Sequence, residues 1–193
     1  MKCHYPSNNS LRRQGTGWCQ VLVSLFFCAN YSILCGQTST DLAKGLEPLK
    51  PLVGKTWKGP FQNGKEGKQT FDVARWERAL NGQAIRVLHS VADGDYGGET
   101  IIMWNPKIEK LEYYYFTTAG FTTHGTMTVE RNQFISHEEV IGNKEKVTEV
   151  KAVSELRPDG RLHVKSLYLK NGEWVPGHEI LYTETPGAEV RFK

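Results

Sequence analysis

The chain has 193 residues, 39% of them hydrophobic and 23% charged, which is typical of a globular protein with room for one domain. Its charge of +3 comes from three basic residues in the first 36, a stretch without acids, because the other 21 Lys and Arg are balanced by 21 Asp and Glu. A neutral domain without a basic stripe and without any cysteine after Cys35 excludes a nucleic-acid-binding class, a disulfide framework and a cysteine nucleophile.

Residues 1–36 have the layout of an export signal. A basic stretch ends at Arg12-Arg13, an apolar run follows over residues 18–35, and small and polar residues come next. Two polar residues interrupt the run, whereas a membrane span needs about 20 consecutive apolar residues. We therefore expect signal cleavage, no stable membrane span and a secreted or periplasmic domain. Attachment of a lipid to Cys35 is the alternative.

The segment over residues 37–54 predicts a short helix and a lead-in to the first strand. Leucines recur at helical spacing, at Leu42, Leu46, Leu49 and Leu52, and two prolines limit the length of the helix. A helix of this kind commonly plugs one end of a barrel.

Residues 55–185 predict about ten short strands in an antiparallel meander, followed by a tail over residues 186–193. Asn81-Gly82 and Asn171-Gly172 are two-residue hairpin turns, and residues 158–160 fit a three-residue loop. An open sheet of this size leaves two exposed edges, and closure removes them. The fold class is therefore all-β, an up-and-down β-barrel of about ten strands with an N-terminal plug helix.

The turns also predict which side chains face the interior. Asn81-Gly82 places Ala74 opposite His89, and a Gly94-Asp95 turn places His89 opposite Thr100. Continuing by twos gives an interior with aromatic walls and a few polar groups, typical of a small-ligand cavity. The predicted ligand-binding residues are His89, Thr100, Tyr115 and Thr123 as a polar band, Trp76, Trp104 and Tyr113 as walls, and Glu138.

The last strand leaves two alternatives open. The turn at Asn171-Gly172 puts Glu179 and Leu181 inside the barrel and His178 outside. A bulge at Pro176-Gly177 would reverse that assignment.

Function follows from the lining alone, because no catalytic motif stands out and the histidines show no metal-ligand spacing. We expect non-enzymatic binding of a small hydrophobic or amphipathic molecule. His89 either recognises the polar end of that molecule or is simply hydrogen-bonded in a packed barrel. The alternatives are a hydrolase or isomerase that uses His89 and Glu138 as base and acid, and an interaction module that uses the outer face around Met103.

Residues 52–57, Leu-Val-Gly-Lys-Thr-Trp, resemble the opening of calycin-type barrels, in which a G-x-W follows a short plug helix. That superfamily includes lipocalins, fatty-acid-binding proteins and nitrobindins. Arg75-Trp76-Glu77, Leu80-Asn81-Gly82 and the run from Tyr96 to Thr100 are more closely similar to an uncharacterised group of secreted bacterial lipocalin-like proteins. The resemblance covers about residues 42–185.

The resemblance implies a small hydrophobic or amphipathic ligand, and we expect no cofactor. Its nitrobindin branch implies haem as an alternative, bound by a histidine near the end of the chain, and His178 is the residue at that position. The outward assignment of His178 from the turn register disagrees with that role.

Overall fold

The computed structural model describes residues 41–61 and 69–193. The predicted export signal over residues 1–36 and the possible lipid site at Cys35 lie outside this part of the chain. In the described residues no helix has the length and apolar character needed to cross a membrane.

Ten antiparallel strands form one closed barrel, as predicted from the turns. Each strand pairs with the next along the chain, and β1 pairs with β10 to close the sheet. The strands are β1 (Thr56–Phe61), β2 (Thr70–Ala79), β3 (Ala84–Val91), β4 (Tyr96–Asn105), β5 (Lys110–Thr117), β6 (Thr122–Glu130), β7 (Gln133–Ile141), β8 (Val147–Leu156), β9 (Leu162–Lys170) and β10 (Glu173–Glu184).

The predicted plug is a 3₁₀ helix, Lys44–Leu52. Leu46, Leu49 and Leu52 are spaced by three residues, the repeat of a 3₁₀ helix, so they lie on one face and are almost completely buried. The backbone N–H of Ala43 donates to the carbonyl of Gly82 in the β2–β3 turn, 2.9 Å away. The helix therefore covers the barrel end formed by the β2–β3, β4–β5, β6–β7 and β8–β9 turns, which we call the helix end.

The hydrophobic core fills the barrel next to this helix. The three helix leucines pack with inward-facing side chains of the strands into one buried cluster. Its strand members include Trp57, Ile85, Ile102, Leu111, Tyr113, Phe134, Leu162 and Ile180. The helix end is thus a dry apolar floor, and any accessible lumen lies toward the opposite end, which we call the far end.

Most of the predicted strand registers are confirmed. Ala74 pairs with His89, Tyr115 with Thr123, and Gly125 with Glu138. The β3–β4 register differs by two residues, because His89 pairs with Gly98 and not with Thr100. The turn begins earlier than predicted, at Ala92, where the backbone enters the left-handed region with φ of 51°. A shift of two residues leaves every side chain on its predicted face.

The outward assignment of His178 is wrong. The pairing of β10 with β9 shifts between Pro176 and Glu179, which is the bulge that the sequence left open. The extra residue reverses the facing of the strand from that point on, so His178, Ile180 and Tyr182 face inward. Glu179 and Leu181, predicted inside, lie on the outer face, where Glu179 accepts a hydrogen bond from His163.

Candidate functional site

Polar and aromatic side chains converge in the lumen at the far end of the barrel. They lie at inward-facing positions near the far ends of β2 to β7 and β9, and at the bulge of β10. We call this set the polar cluster: Asp72, His89, Tyr96, Tyr115, Thr123, Glu138, Ser166, Tyr168 and His178.

The centre of the polar cluster is a chain of hydrogen bonds through His89. Its Nδ1 atom lies 3.1 Å from Oδ1 of Asp72, and its Nε2 atom lies 2.7 Å from the hydroxyl of Tyr115. The Tyr115 hydroxyl in turn lies 2.8 Å from that of Tyr96. Asp72 also accepts a hydrogen bond of 2.8 Å from the hydroxyl of Tyr182. Five strands, β2 to β5 and β10, are therefore joined inside the lumen by one polar network.

Glu138 forms a second group of contacts. The hydroxyl of Thr123 donates to Oε2 of Glu138 at 2.5 Å, and Tyr113 also bonds the carboxyl group. Burial raises the pKa of Glu138 above its ordinary value, and the hydrogen bonds from Thr123 and Tyr113 oppose that change. The carboxyl group is therefore held in a place that favours its neutral, protonated form.

His178 belongs to a third group, created by the bulge in β10. Its Nδ1 atom lies 2.6 Å from the hydroxyl of Tyr168 and 3.2 Å from Oγ of Ser166. Gly177 makes this arrangement possible, because a Cβ there would lie 2.8 Å from the Tyr168 ring. Burial lowers the pKa of His178, although the charge of Asp72 acts in the opposite direction. The imidazole is therefore held neutral.

The phenols of the cluster are neutral hydrogen-bonding groups. Burial raises the pKa of Tyr96, Tyr115 and Tyr168 above that of free tyrosine. An ionised Glu138 would raise the pKa of all three further. Neutral phenols can both donate and accept hydrogen bonds, whereas phenolates only accept.

The cluster is accessible, unlike the floor beneath it. The side chain of His89 keeps 19% of its accessible surface although it faces inward, and Tyr96, Tyr115, Glu138 and His178 are also only partly buried. Leu46 and Leu49 at the helix end are 0% exposed. Water therefore reaches the polar half of the lumen and not the apolar half.

The structure brings together five of the eight predicted site residues. His89, Tyr115, Thr123 and Glu138 lie in the polar cluster, and Tyr113 stands at its base against Glu138. The other three predicted residues lie elsewhere along the barrel wall.

Thr100, Trp76 and Trp104 lie away from the polar cluster. Thr100 is inward-facing and half-buried beside Val87 and Tyr115. Trp76 packs on the apolar core, and Trp104 is 38% exposed at the helix end, where its ring covers Gly45.

His89 and Glu138, the proposed base and acid of an enzyme, have separate sets of partners. His89 bonds Asp72 and Tyr115, and Glu138 bonds Thr123 and Tyr113. No hydrogen bond joins the two within the part of the chain that the structure describes.

Sequence reasoning missed Asp72, Tyr96 and Tyr182. Asp72 and Tyr96 could have been predicted, because side chains two residues apart on a strand share a face. Asp72 lies two residues before the inward-facing Ala74, and Tyr96 lies four residues before the inward-facing Thr100. Tyr182 depends on the bulge in β10, for which Pro176-Gly177 is the sequence signal.

The cluster has few options for binding a metal ion directly. Within residues 41–61 and 69–193, no three His, Cys, Asp or Glu side chains are arranged to hold one. A single histidine can still bind an iron that is already held by a porphyrin. Nε2 of His178 has no hydrogen-bond partner among the described residues, so it is the nitrogen free for such a bond.

Of the comparisons with known proteins, only the one with solved structures bears on this chain, and it shows the fold alone. No protein-family model matches the chain, and no curated protein matches it. Among solved structures the chain is similar to Rv2717c from M. tuberculosis, with a TM-score of 0.56 and 15% identity over 75% of this chain and 99% of that one. A closed barrel of ten antiparallel strands with this neighbour is consistent with a calycin-like barrel.

Proposed function

We propose that this protein binds a small hydrophobic or amphipathic molecule in the polar half of its barrel lumen, without transforming it. The observation that carries the proposal is the division of the interior. A dry apolar floor fills the helix end, and above it stand inward-facing aromatic and polar groups that water can reach. Concave, mostly apolar sites with a few convergent polar groups are what small ligands occupy.

The walls around the cluster suit an aromatic or aliphatic body. Phe61 lies near His178, with ring centroids 6.4 Å apart, and Phe121 lies 6.5 Å from both Tyr96 and Tyr115. The polar groups between these rings have partners in the protein already, so they fix the orientation of a ligand rather than demand a charged one. An uncharged molecule with one polar end satisfies both features.

The proposed binding is tested with a neutral acylnaphthalene fluorophore, whose emission depends on the polarity around it. His89→Ala should weaken its binding about tenfold, the effect of losing a hydrogen bond and leaving partners unsatisfied. His124→Ala is the matched control, because His124 pairs with Glu112 on the outer face, 2.8 Å away. Equal affinity in all three proteins, or no binding by wild type, would contradict the proposal.

The proposed location is outside the cytoplasm, as in the secreted lipocalin-like proteins that the sequence resembles. It is supported by the signal-like layout of residues 1–36. N-terminal sequencing of the protein from the cell envelope or medium should show cleavage near residue 36. An uncleaved protein in the cytoplasm would contradict this part of the proposal, and a blocked N-terminus at Cys35 would indicate a lipid.

Haem is the second candidate ligand, and the bulge in β10 is the observation that favours it. Inward-facing His178 has Nδ1 fixed by Tyr168, so its Nε2 atom is oriented toward the lumen. His178 would hold the iron, and the haem would supply its redox and gas-binding chemistry. The neutral imidazole required for ligation agrees with the lowered pKa of His178.

Addition of haemin tests the second candidate. A Soret band that is lost in His178→Ala and retained in His163→Ala would support it, because His163 bonds Glu179 on the outer face of the neighbouring strand. A spectrum identical to free haemin, or one equally present in His178→Ala, would reject haem ligation at this position.

A further inference from the structure

Four side chains of the polar cluster, together with Tyr182, form a single file of hydrogen bonds. The order is Tyr182, Asp72, His89, Tyr115 and Tyr96, with each bond between 2.7 and 3.1 Å. Tyr96 is the lumen-facing terminus of the file, because Tyr115 is its one hydrogen-bond partner among the described residues. Phe121 lies beside the Tyr96 ring and leaves the hydroxyl as the polar end of that wall.

The positions of the protons along this file follow from the groups themselves. A carboxylate has no proton to donate, so Nδ1 of His89 must carry the proton shared with Asp72. In neutral His89 the other nitrogen, Nε2, is therefore an acceptor and receives a hydrogen bond from the Tyr115 hydroxyl. The oxygen of Tyr115 then accepts a hydrogen bond from the hydroxyl of Tyr96. Because that bond uses the only hydroxyl proton of Tyr96, its oxygen can only accept a hydrogen bond from a molecule in the lumen.

Protonation of His89 reverses every bond beyond the imidazole. Nε2 then carries a proton and donates to the oxygen of Tyr115. The Tyr115 hydroxyl turns and donates to Tyr96, whose own proton becomes available to the lumen. The reversal requires no heavy atom to move, since the nitrogen–oxygen pair and the oxygen–oxygen pair can each be bridged by a proton from either side.

We propose that Tyr96 is the contact point for the polar end of the ligand and that the protonation state of His89 sets the polarity of that contact. With neutral His89 the site accepts a hydrogen bond and selects a hydroxyl-bearing ligand. With protonated His89 the site donates one and selects a carbonyl-bearing ligand. The ligand selection rests on the proposed lumen binding, whereas the reversal of the hydrogen bonds is a property of the protein alone.

The groups around His89 support both states. Asp72 faces it from β2, Tyr96 from β4 and Tyr115 from β5. From β10, Tyr182 holds Asp72 by a hydrogen bond, and the charge of a protonated His89 lowers the pKa of His178 further. Glu138 on β7 acts on Tyr96 and Tyr115 through its charge. Asp72 is thus the acid in direct contact with a protonated His89, and the neutral phenols beyond it transmit the change.

The reversal can be tested without any ligand, by nitrogen NMR of the His89 ring through a pH titration. We expect neutral His89 to carry its proton on Nδ1, and protonated His89 to carry one on each nitrogen. Neutral His89 with its proton on Nε2 would overturn the proposal, because Tyr115 would then be an acceptor in both states.

Ligand selection is tested with two probes of one shape, naphthol as the donor and acetylnaphthalene as the acceptor. The ratio of their dissociation constants should change about tenfold in favour of acetylnaphthalene between a pH above and a pH below the protonation of His89, as the NMR titration locates it. Tyr115→Phe should abolish this change, because it cuts the file between His89 and Tyr96. The outer-face variant His124→Gln should retain it.

The outcomes separate this proposal from the proposed function. If both probes bind but their ratio is independent of pH, or if Tyr115→Phe keeps the dependence, the polarity proposal is overturned and lumen binding stands. If neither probe binds at either pH, lumen binding by neutral aromatic molecules fails and ligand selection fails with it. The NMR titration then still decides whether the file reverses.

Discussion

At the scale of single residues, the barrel holds two glutamates whose surroundings act in opposite directions. Burial in the lumen raises the pKa of Glu138. Hydrogen bonds from Asn105 and His124 on the outer face lower the pKa of Glu112. Because a pKa that differs between folded and unfolded chains makes stability depend on pH, the two residues should give pH dependences of opposite sign.

Glu138→Gln should stabilise the protein increasingly as pH rises. The folded state holds the Glu138 proton more tightly than the unfolded chain, so ionisation costs stability above the unfolded pKa of about 4.3 and up to the raised folded pKa. Glutamine removes that cost and still accepts a hydrogen bond from Thr123. Urea denaturation of both proteins between about pH 4 and pH 8 should show a difference that favours the variant more at the higher pH.

Glu112→Gln is the control, since it should lose stability relative to wild type as pH rises above the lowered pKa of Glu112. Its effect should be small, because this glutamate is on the solvated face. A pH-independent difference for Glu138→Gln would mean that the carboxyl group is solvated in the folded protein.

At the residue scale, the sequence predicts which side chains face the lumen but not which of them contact each other. The sequence places four of the site residues in one lumen, because inward-facing positions recur every second residue along a strand and the turns fix the register between strands. These residues are His89, Tyr115, Thr123 and Glu138. Their partners could not be named. Whether His89 meets Asp72 or Glu138 depends on barrel diameter and strand tilt, which period-two patterning does not contain.

At the scale of elements, the C-terminal tail fastens the β3–β4 turn at the far end. The backbone N–H of Arg191 donates to Oγ of Ser90, an outer-face residue with 3% exposure, at 3.0 Å. Lys193 pairs with Asp95 in the turn. A Cβ on Gly94 would lie 2.8 Å from the carbonyl oxygen of Arg191. The tail thus rests directly on the turn between His89 and Tyr96.

Gly94→Ala should destabilise the protein more than Gly120→Ala. Both glycines have positive φ, 97° and 82°, so alanine is strained at either by about 1 kcal/mol. Only Gly94 also meets the tail, whereas nothing lies within 4 Å of a Cβ on Gly120. We expect an additional loss of about 1–3 kcal/mol in the free energy of unfolding for Gly94→Ala, measured by denaturant titration.

Removal of residues 186–193 tests whether contact with the tail causes the additional loss of stability in Gly94→Ala. In the shortened chain the two alanine variants should cost the same, because the contact that distinguishes them is gone. If Gly94→Ala lowers the free energy of unfolding by the same amount in the chain without the tail, the loss comes from strain within the turn and not from contact with the tail.

Elements differ in how well the sequence predicts them. The 3₁₀ helix and the ten strands follow from leucine spacing and turn dipeptides, which act over a few residues. The start of the β3–β4 turn does not, and Pro176-Gly177 marks a possible bulge in β10 without deciding whether it forms. Ala92 and Asp93 adopt positive φ without being glycine or asparagine, and the bulge depends on the fit of Gly177 against Ser166 and Tyr168 on another strand.

At the scale of the whole molecule, the closure of the barrel is uneven. The seam between β1 and β10 is held by the pairs Trp57–Glu184 and Lys58–Thr183, and by a hydrogen bond from the Thr185 N–H to the Thr56 carbonyl. Beyond Lys58 the pairing stops, where Pro60 lacks an N–H and β10 approaches its bulge. A groove of about 390 Å³ runs along this seam, lined by Pro60, Gln69, Arg157, His163, Glu179 and Leu181.

The seam should be the part of the barrel wall that opens most readily, because few backbone hydrogen bonds cross it. Hydrogen exchange measured by mass spectrometry should show amides in residues 56–61 and 173–184 exchanging at least about tenfold faster than those in residues 122–141. The β6–β7 pair is the internal control, since it is in register from Thr122 to Glu130. A ligand that spans the polar cluster should slow exchange at the seam most, because His178 and Tyr182 lie on β10 just inside it. Uniform protection around the barrel would show that the few seam pairs close it as firmly as the long ladders do.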